Sequence, residues 1–289
     1  MKPILIIGAN GQIGSELSTA LIDRLGREAV ILSDIYAPET PTGIFEIIDI
    51  LKPESVELII KKYDIKTVVN LAAVLSAKGE QNPLMTWRVN VDGLLHLLEL
   101  ARTYQFQLFH PSTIAVFGPD SDKNNVGQNS HLHPSTMYGV TKVSGESLCY
   151  YYATQYGVDV RSIRIPGVIG GYGLPGGGTT DYAVDIFHEA IKSQRYTCFL
   201  SEDTRLPMIY MDDTIDAIID LMSTRVENIT VRTSYNIQSM SFTPGELAEE
   251  IRLHIPDFKI SYIPDQRQKI ADSWPQSIND YISRRDWDW

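Results

Sequence analysis

Two periodicities alternate along the first part of the chain. "ILIIG" (4–8) is a short apolar run ending in glycine, and residues 12–24 then carry Ile13, Leu17 and Leu21 at helical spacing, with Leu25 just beyond. "AVILSD" (29–34) and "GIFEIID" (43–49) predict a second and a third strand. "PESVELIIKKY" (53–63) predicts an amphipathic helix opened by Pro53, where a missing N–H costs nothing. Further strands are predicted at "TVVNLAA" (67–73), "FQLFHPST" (106–113) and "VDVRSIRI" (158–165), with long helices at 84–103 and 136–156. Such alternation predicts a parallel sheet covered by helices on both faces, an α/β fold of the doubly wound, Rossmann type. After Pro166 the character changes. Glycine and proline thicken from 166 to 178, helices are expected at 182–194 and 212–223, and short strands at 206–211 and 232–237. The expected division is a nucleotide-binding domain over 1–167, rejoined by the chain around 206–237, and a smaller substrate-binding lobe from 168–205 and 238–289.

Composition narrows the function. With 43% hydrophobic and 21% charged residues, the 289-residue chain reads as an ordinary globular protein. A net charge of −11 without any Lys/Arg run argues against nucleic acid or an anionic membrane as partner. Two distant cysteines, Cys149 and Cys198, fit free thiols in a reducing compartment. "MKPILIIGANG" carries no signal-peptide pattern, so a cytoplasmic location is expected. "DYISRRDWDW" stops on two tryptophans with no polar tail, which suggests that a last helix is missing. No metal site is expected.

"GANGQIG" places glycines at 8, 11 and 14 after the first strand and at the start of a helix. Glycine turns of this spacing are common, but Asp34 ends the next strand 20 residues after Gly14, which completes a dinucleotide-binding arrangement. The glycines allow a tight turn and close backbone approach to a pyrophosphate, which the helix N-terminus favours. Asp34 can accept hydrogen bonds from ribose hydroxyls and would repel a 2′-phosphate, so NAD is expected rather than NADP. Asp49 ends the third strand where adenine would lie. Leu71, Ala72 and Ala73 end the fourth, where small residues let a cofactor lie close or merely pack well.

Tyr138 and Lys142 stand four residues apart on one helix face. A free phenol, with a pKa of about 10, is a poor base at neutral pH, and a neighbouring ammonium lowers that value. Ser112 and Thr113 end the fifth strand and supply a hydroxyl for a reacting alcohol. Strand-end hydroxyl, tyrosine and lysine form a set able to take a proton from an alcohol while hydride leaves the same carbon.

Together, "GANGQIG", "NLAA", "PSTIAVFG", "YGVTK" and "RIPG" resemble the extended short-chain dehydrogenase/reductases, the group that includes UDP-galactose 4-epimerase. "HPSTIAVFG", "PSTMYGVTK", "PGGGTTDYAV", "LPMIYMDD" and "IADSWP" are similar to one branch, the short-chain-type NAD-dependent L-threonine 3-dehydrogenases, over essentially the whole chain. The resemblance implies oxidation of L-threonine by NAD⁺ to 2-amino-3-oxobutanoate and NADH. It makes Tyr138 the general base, Lys142 its electrostatic partner and Thr113 the catalytic hydroxyl position. Ser112 stands adjacent, and the superfamily more often has serine at that position, so the division between the two is open. Cofactor contacts are implied for Gln12, Ile13, Ile50, Asn90, Ile165 and Pro166, and for Tyr138 and Lys142.

The glycine-rich run "PGGGTTDYAV" (175–184) then reads as a holder for a small zwitterion. Backbone N–H groups around Gly178 and the Thr179 and Thr180 hydroxyls would take a carboxylate, and Asp181 would face an ammonium or cap the helix. Ser76 and Trp274 are implied substrate contacts, Trp274 as a lid or as a packing anchor. Relatives of this kind form homodimers, which here would use helices 84–103 and 136–156. Two other readings are a nucleotide-sugar epimerase or dehydratase on the same scaffold, and a non-enzymatic NAD-binding protein.

Overall fold

The computed structural model describes residues 2–170 and 177–289. The first half runs β1 (Ile4–Ile7), α1 (Gln12–Leu25), β2 (Val30–Asp34), β3 (Ile44–Ile47), α2 (Pro53–Tyr63) and β4 (Thr67–Asn70). It continues with α3 (Ser76–Gln81), α4 (Pro83–Trp87), α5 (Gly93–Tyr104), β5 (Gln107–Phe109), β6 (Ser112–Thr113), α6 (Met137–Tyr156) and β7 (Val160–Arg161). Strands β8 (Ile163–Ile165) and β9 (Gly167–Ile169) follow, then α7 (Tyr182–Ser193), β10 (Arg195–Cys198), β11 (Leu206–Tyr210) and α8 (Met211–Ser223). The chain closes with β12 (Tyr235–Asn236), β13 (Met240–Phe242), α9 (Pro244–His254), β14 (Lys259–Tyr262), α10 (Gln266–Ser273) and α11 (Tyr281–Trp287).

Six strands form a parallel sheet in the order β3-β2-β1-β4-β5-β7, the Rossmann-type doubly wound arrangement. Side chains of β1 alternate between two cores. Ile4 and Ile6 pack with α1 and α8, while Leu5 and Ile7 pack with α2 and α5. Burial on both faces is why β1 reads as an unbroken apolar run. The order reverses between β1 and β4, so a crevice opens beyond their carboxyl ends. Smaller sheets, β6-β8-β12 and β9-β11-β13, extend from that crevice. A third core, including Phe117, Tyr182, Met208 and Trp274, fills the space beneath the C-terminal elements.

Three segments depart from the predicted elements. The helix expected over 84–103 is α4 and α5 joined by a π turn at Arg88–Asp92. That turn carries Asn90, whose amide bonds both backbone groups of Val74 (2.9 and 3.0 Å) and the Thr141 hydroxyl (3.0 Å). The strand expected over 106–113 breaks between β5 and β6, where Pro111 has no N–H to donate, and β6 pairs with β8 instead. The run 158–165 divides into β7 and β8, on different sheets.

Candidate active site

A cleft of about 280 Å³ lies beyond the ends of β1, β4 and β6. It brings together Gly8, Gly11, Gln12, Ile13 and Gly14 from the first turn, Leu71, Ala73 and Ser76 after β4, and Ser112 and Thr113. Tyr138 and Lys142 of α6 line it, with Ile165 and Pro166 on one side and Gly178, Thr179, Thr180, Asp181 and Trp274 on another. Asp34, Asp49, Ile50, Ala72 and Asn90 do not line it.

The turn has no room for side chains. A Cβ on Gly14 would lie 2.2 Å from the Gly8 carbonyl oxygen, and one on Gly8 (φ +87°) would lie 2.8 Å from the Ala72 nitrogen. Gly11 stands at the start of α1, and its side makes no capping bond, so the first N–H groups of the helix face the cleft end without one. Beside the turn, the Asp34 carboxylate accepts from the N–H groups of Asn10 (3.1 Å) and Ile35 (2.8 Å). A Cβ-free cradle on a helix N-terminus with a carboxylate at the end of β2 fits the pyrophosphate and ribose of a dinucleotide. Asp49 accepts from the Leu51 N–H (3.0 Å) in the turn before α2, and Ile50 is buried against Gly93. Asn90 braces the loop after β4, as described above. All three make contacts within the fold, and the Asp49 side chain is also exposed.

At the other end, Tyr138, Lys142 and Glu146 follow one another at four-residue spacing on α6. Gly139 allows the approach of α6: a Cβ there would lie 2.3 Å from the Ala115 carbonyl oxygen. The Lys142 ammonium is buried, donates to the Pro111 carbonyl (2.7 Å) and sits 5.9 Å from the Tyr138 ring centre. Burial lowers its pKa to about 8, against the opposing carboxylate of Glu146. Burial raises the Tyr138 phenol to about 12, and the neighbouring Thr113 hydroxyl pulls the other way. In the protein alone, removal from water sets the direction of the phenol's shift.

The two strand-end hydroxyls have different surroundings. Ser112 donates to Glu146 (2.6 Å), whose carboxylate is also bound by both Nε and Nη2 of the buried Arg164 (2.9 and 2.8 Å). Thr113 lies beside the Tyr138 phenol, whose pKa its hydroxyl lowers, and accepts from the Ala115 N–H (3.2 Å). Ser112 thus faces a buried ion pair, and Thr113 faces the tyrosine. Glu146 and Arg164 were not singled out from sequence. The signal was present in "YGVTKVSGE", where the glutamate repeats the Tyr–Lys spacing once more.

Of the glycine-rich run, Pro175 and Gly176 lie outside the described residues. The Asp181 carboxylate accepts from the N–H groups of Gly177 (2.7 Å) and Gly178 (2.6 Å) and makes no capping bond to α7. Those two amides, expected to hold a substrate carboxylate, are engaged by Asp181, and burial raises its pKa. Thr179 is buried with its hydroxyl unpartnered among the described residues. The Thr180 methyl packs against Gly167, where a Cβ would lie 2.7 Å from it. Ser76 opens α3 and is buried at the cleft wall. Trp274 is 6% exposed, packs into the third core and also lines the cleft.

Residues 4–237 match the model of the NAD dependent epimerase/dehydratase family. The chain belongs to that family. NAD is accordingly its cofactor, and the glycine cradle with Asp34 fits it. An uncharacterized epimerase/dehydratase of Staphylococcus haemolyticus is 45% identical across 99% of this chain and 92% of its own. The holo form of a GalE-like L-threonine dehydrogenase from Cupriavidus necator superimposes with a TM-score of 0.97 at 47% identity, over 99% of this chain and 94% of the other. A monomeric L-threonine 3-dehydrogenase from a metagenome, in its apo form, gives 0.97 at 48% identity, over 99% and 92%.

Proposed function

We propose that this family member is an NAD-dependent L-threonine 3-dehydrogenase, oxidising the 3-hydroxyl of L-threonine to give 2-amino-3-oxobutanoate and NADH. The observation that carries the reading is one cleft with the glycine turn at one end, Thr113, Tyr138 and Lys142 in the middle, and the small wall of Thr179, Asp181 and Trp274 beyond. The solved structures named above, both L-threonine dehydrogenases, support it.

Residues of the turn and Asp34 would hold NAD, which when bound supplies the acceptor for the hydride from C3. Thr113 orients the alcohol oxygen towards the phenol. Tyr138 takes the hydroxyl proton as the C3–O bond becomes a carbonyl. Positive charge on Lys142 favours the phenolate, and the Pro111 carbonyl fixes where that charge sits. Thr179 and Ser76 offer hydroxyls to the substrate carboxylate, and Asp181 offers a counter-charge to the ammonium. The lobe expected from 168–205 and 238–289 is read as the part that supplies this wall.

An epimerase acting on nucleotide sugars fits less well. Lys142 is the one cation among the described lining residues, and it is spent on Pro111, which leaves no side-chain charge for a second diphosphate. A homodimer through α4, α5 and α6 is supported by exposed Leu84, Trp87, Tyr150 and Tyr151 on those helices. None of the described helices is long and apolar enough to cross a membrane, and we read the chain as cytoplasmic.

The test is NADH absorbance after adding NAD⁺ with L-threonine, and in parallel with L-serine, UDP-glucose or UDP-galactose. A rise with threonine, abolished by Tyr138→Phe while NAD binding persists, supports the proposal. An NAD-binding preparation that leaves threonine untouched overturns it.

A further inference from the structure

Trp274 is attached to the loop that leaves the reaction's own strand. After β6 the chain forms a short helical turn, Ile114–Val116, and then a surface loop pinched at its neck. Ser121 closes the neck, its Oγ donating to the His131 carbonyl (2.8 Å) and accepting from the Gly118 N–H (3.2 Å). From this loop the Lys123 ammonium donates to two carbonyls, Asp272 (2.7 Å) and Trp274 (3.2 Å). Both belong to the C-terminal end of α10, where carbonyls lack partners within the helix and the helix dipole favours a cation. The backbone continues the seam. Gln276 N–H donates to the Lys123 carbonyl (2.6 Å), Asn125 N–H to the Ser277 hydroxyl (2.7 Å), and Val126 bridges Ile278.

A second cavity of about 410 Å³ is bordered by Lys123, Asp272, Gln276, Thr204 and Trp274 itself. Trp274 therefore borders both this cavity and the cleft. The lysine is the charged member of the set that holds the end of α10 forward; the backbone seam just described and Gln268, which bonds Thr204 and the Ser201 N–H, share the task.

We propose that Lys123 is a positioning residue that sets the depth of the cleft through Trp274, and so sets how large a 3-hydroxy amino acid side chain the enzyme accepts. This rests on the functional reading above. Lys123 touches neither the glycine turn nor Tyr138, so its effect falls on substrate fit and leaves cofactor binding alone.

The experiment compares Lys123→Met, which keeps length and loses the donors, with Lys123→Arg, which keeps charge and donors. In Lys123→Met, amide hydrogen exchange across 272–279 rises about tenfold, as expected for losing bonds from a charged donor. The KM for L-threonine rises by a similar factor, kcat and NAD affinity (read by fluorescence titration) stay within about twofold, and discrimination against 3-hydroxynorvaline weakens. Lys123→Arg restores most of each. Unchanged exchange in that segment overturns the inference, and so does unchanged KM and size preference in a threonine-oxidising preparation. Should the wild type fail to oxidise threonine, the functional reading falls on its own result and the cleft-depth proposal falls with it. The exchange comparison then decides only whether Lys123 holds the end of α10.

Discussion

Ser112 and Thr113 are adjacent, both hydroxylated and both buried, yet their substitution should read out in different assays. Ser112 Oγ donates to a carboxylate at 2.6 Å in a dry environment. Such a charge-assisted bond contributes about 1.5–3 kcal/mol to stability. At about 2–4 °C per kcal/mol for a chain of this class, Ser112→Ala lowers Tm by roughly 3–12 °C. Its kcat should stay within about threefold, because the lost bond faces Glu146 and Arg164 rather than the cleft. Thr113→Val keeps shape and loses the hydroxyl that meets the phenol. The cost to stability is about 1 kcal/mol, from the Ala115 N–H it leaves unpaired. The cost to kcat is about 10²–10³-fold, the usual effect of deleting one donor at a reacting oxygen. Scanning calorimetry and NADH formation at saturating threonine and NAD⁺ separate the two. A folded Ser112→Ala that loses a hundredfold in kcat, beside an active Thr113→Val, would refute the assignment.

Three further outcomes are expected. Lys142 has a pKa of about 8 against an ordinary 10.5, so the unfolded chain binds that proton more tightly. Stability of the NAD-free protein therefore rises as pH climbs through 8 towards 10.5, and the full cost is present below 8. Lys142→Met removes that cost: calorimetry should find its stability relative to wild type greatest below pH 8 and declining above it. Asp34→Ala should weaken NADH binding about tenfold and bring NADPH closer to parity, as followed by nucleotide fluorescence. Tyr150→Asp and Leu84→Asp should leave the fold intact, since both side chains are more than half exposed, and convert any dimer to monomer in size-exclusion chromatography with light scattering.

The dinucleotide half was legible because local signals and tertiary needs coincide there. Gly8 and Gly14 have no space for a Cβ, β1 is buried on both faces, and Pro53 opens α2 as its position suggests. Tyr138 and Lys142 were legible from helical spacing taken together with the hydroxyls that end the preceding strand. The roles of their neighbours were not. Whether Ser112 or Thr113 faces the phenol depends on Glu146 and Arg164, which are separated by 18 residues and meet only when α6 packs on β8. Asp181 looked like a cap by its place before α7, but two glycine amides upstream compete for its carboxylate and win. The C-terminal elements gave the weakest pattern. The helix α9 was not predicted, although its Thr243–Pro244–Glu246 capping box stands in the sequence, and α10 is too short and polar to declare itself by periodicity.

The Glu146–Arg164 pair also bears on where motion can occur. Both side chains are about 97% buried, and parting them exposes two charges to a dry interior. Breaking such a contact costs about 3–5 kcal/mol, so roughly one molecule in a hundred to one in several thousand would have it open at any instant. The contact between α6 and β8 at this pair is thus closed in nearly all molecules. Any change in the width of the cleft falls more easily on the opposite wall, the one formed by residues 177–181 and the Trp274 segment. The reacting side serves as the fixed jaw of a vice, and the jaw that Lys123 helps to hold decides what fits between the two.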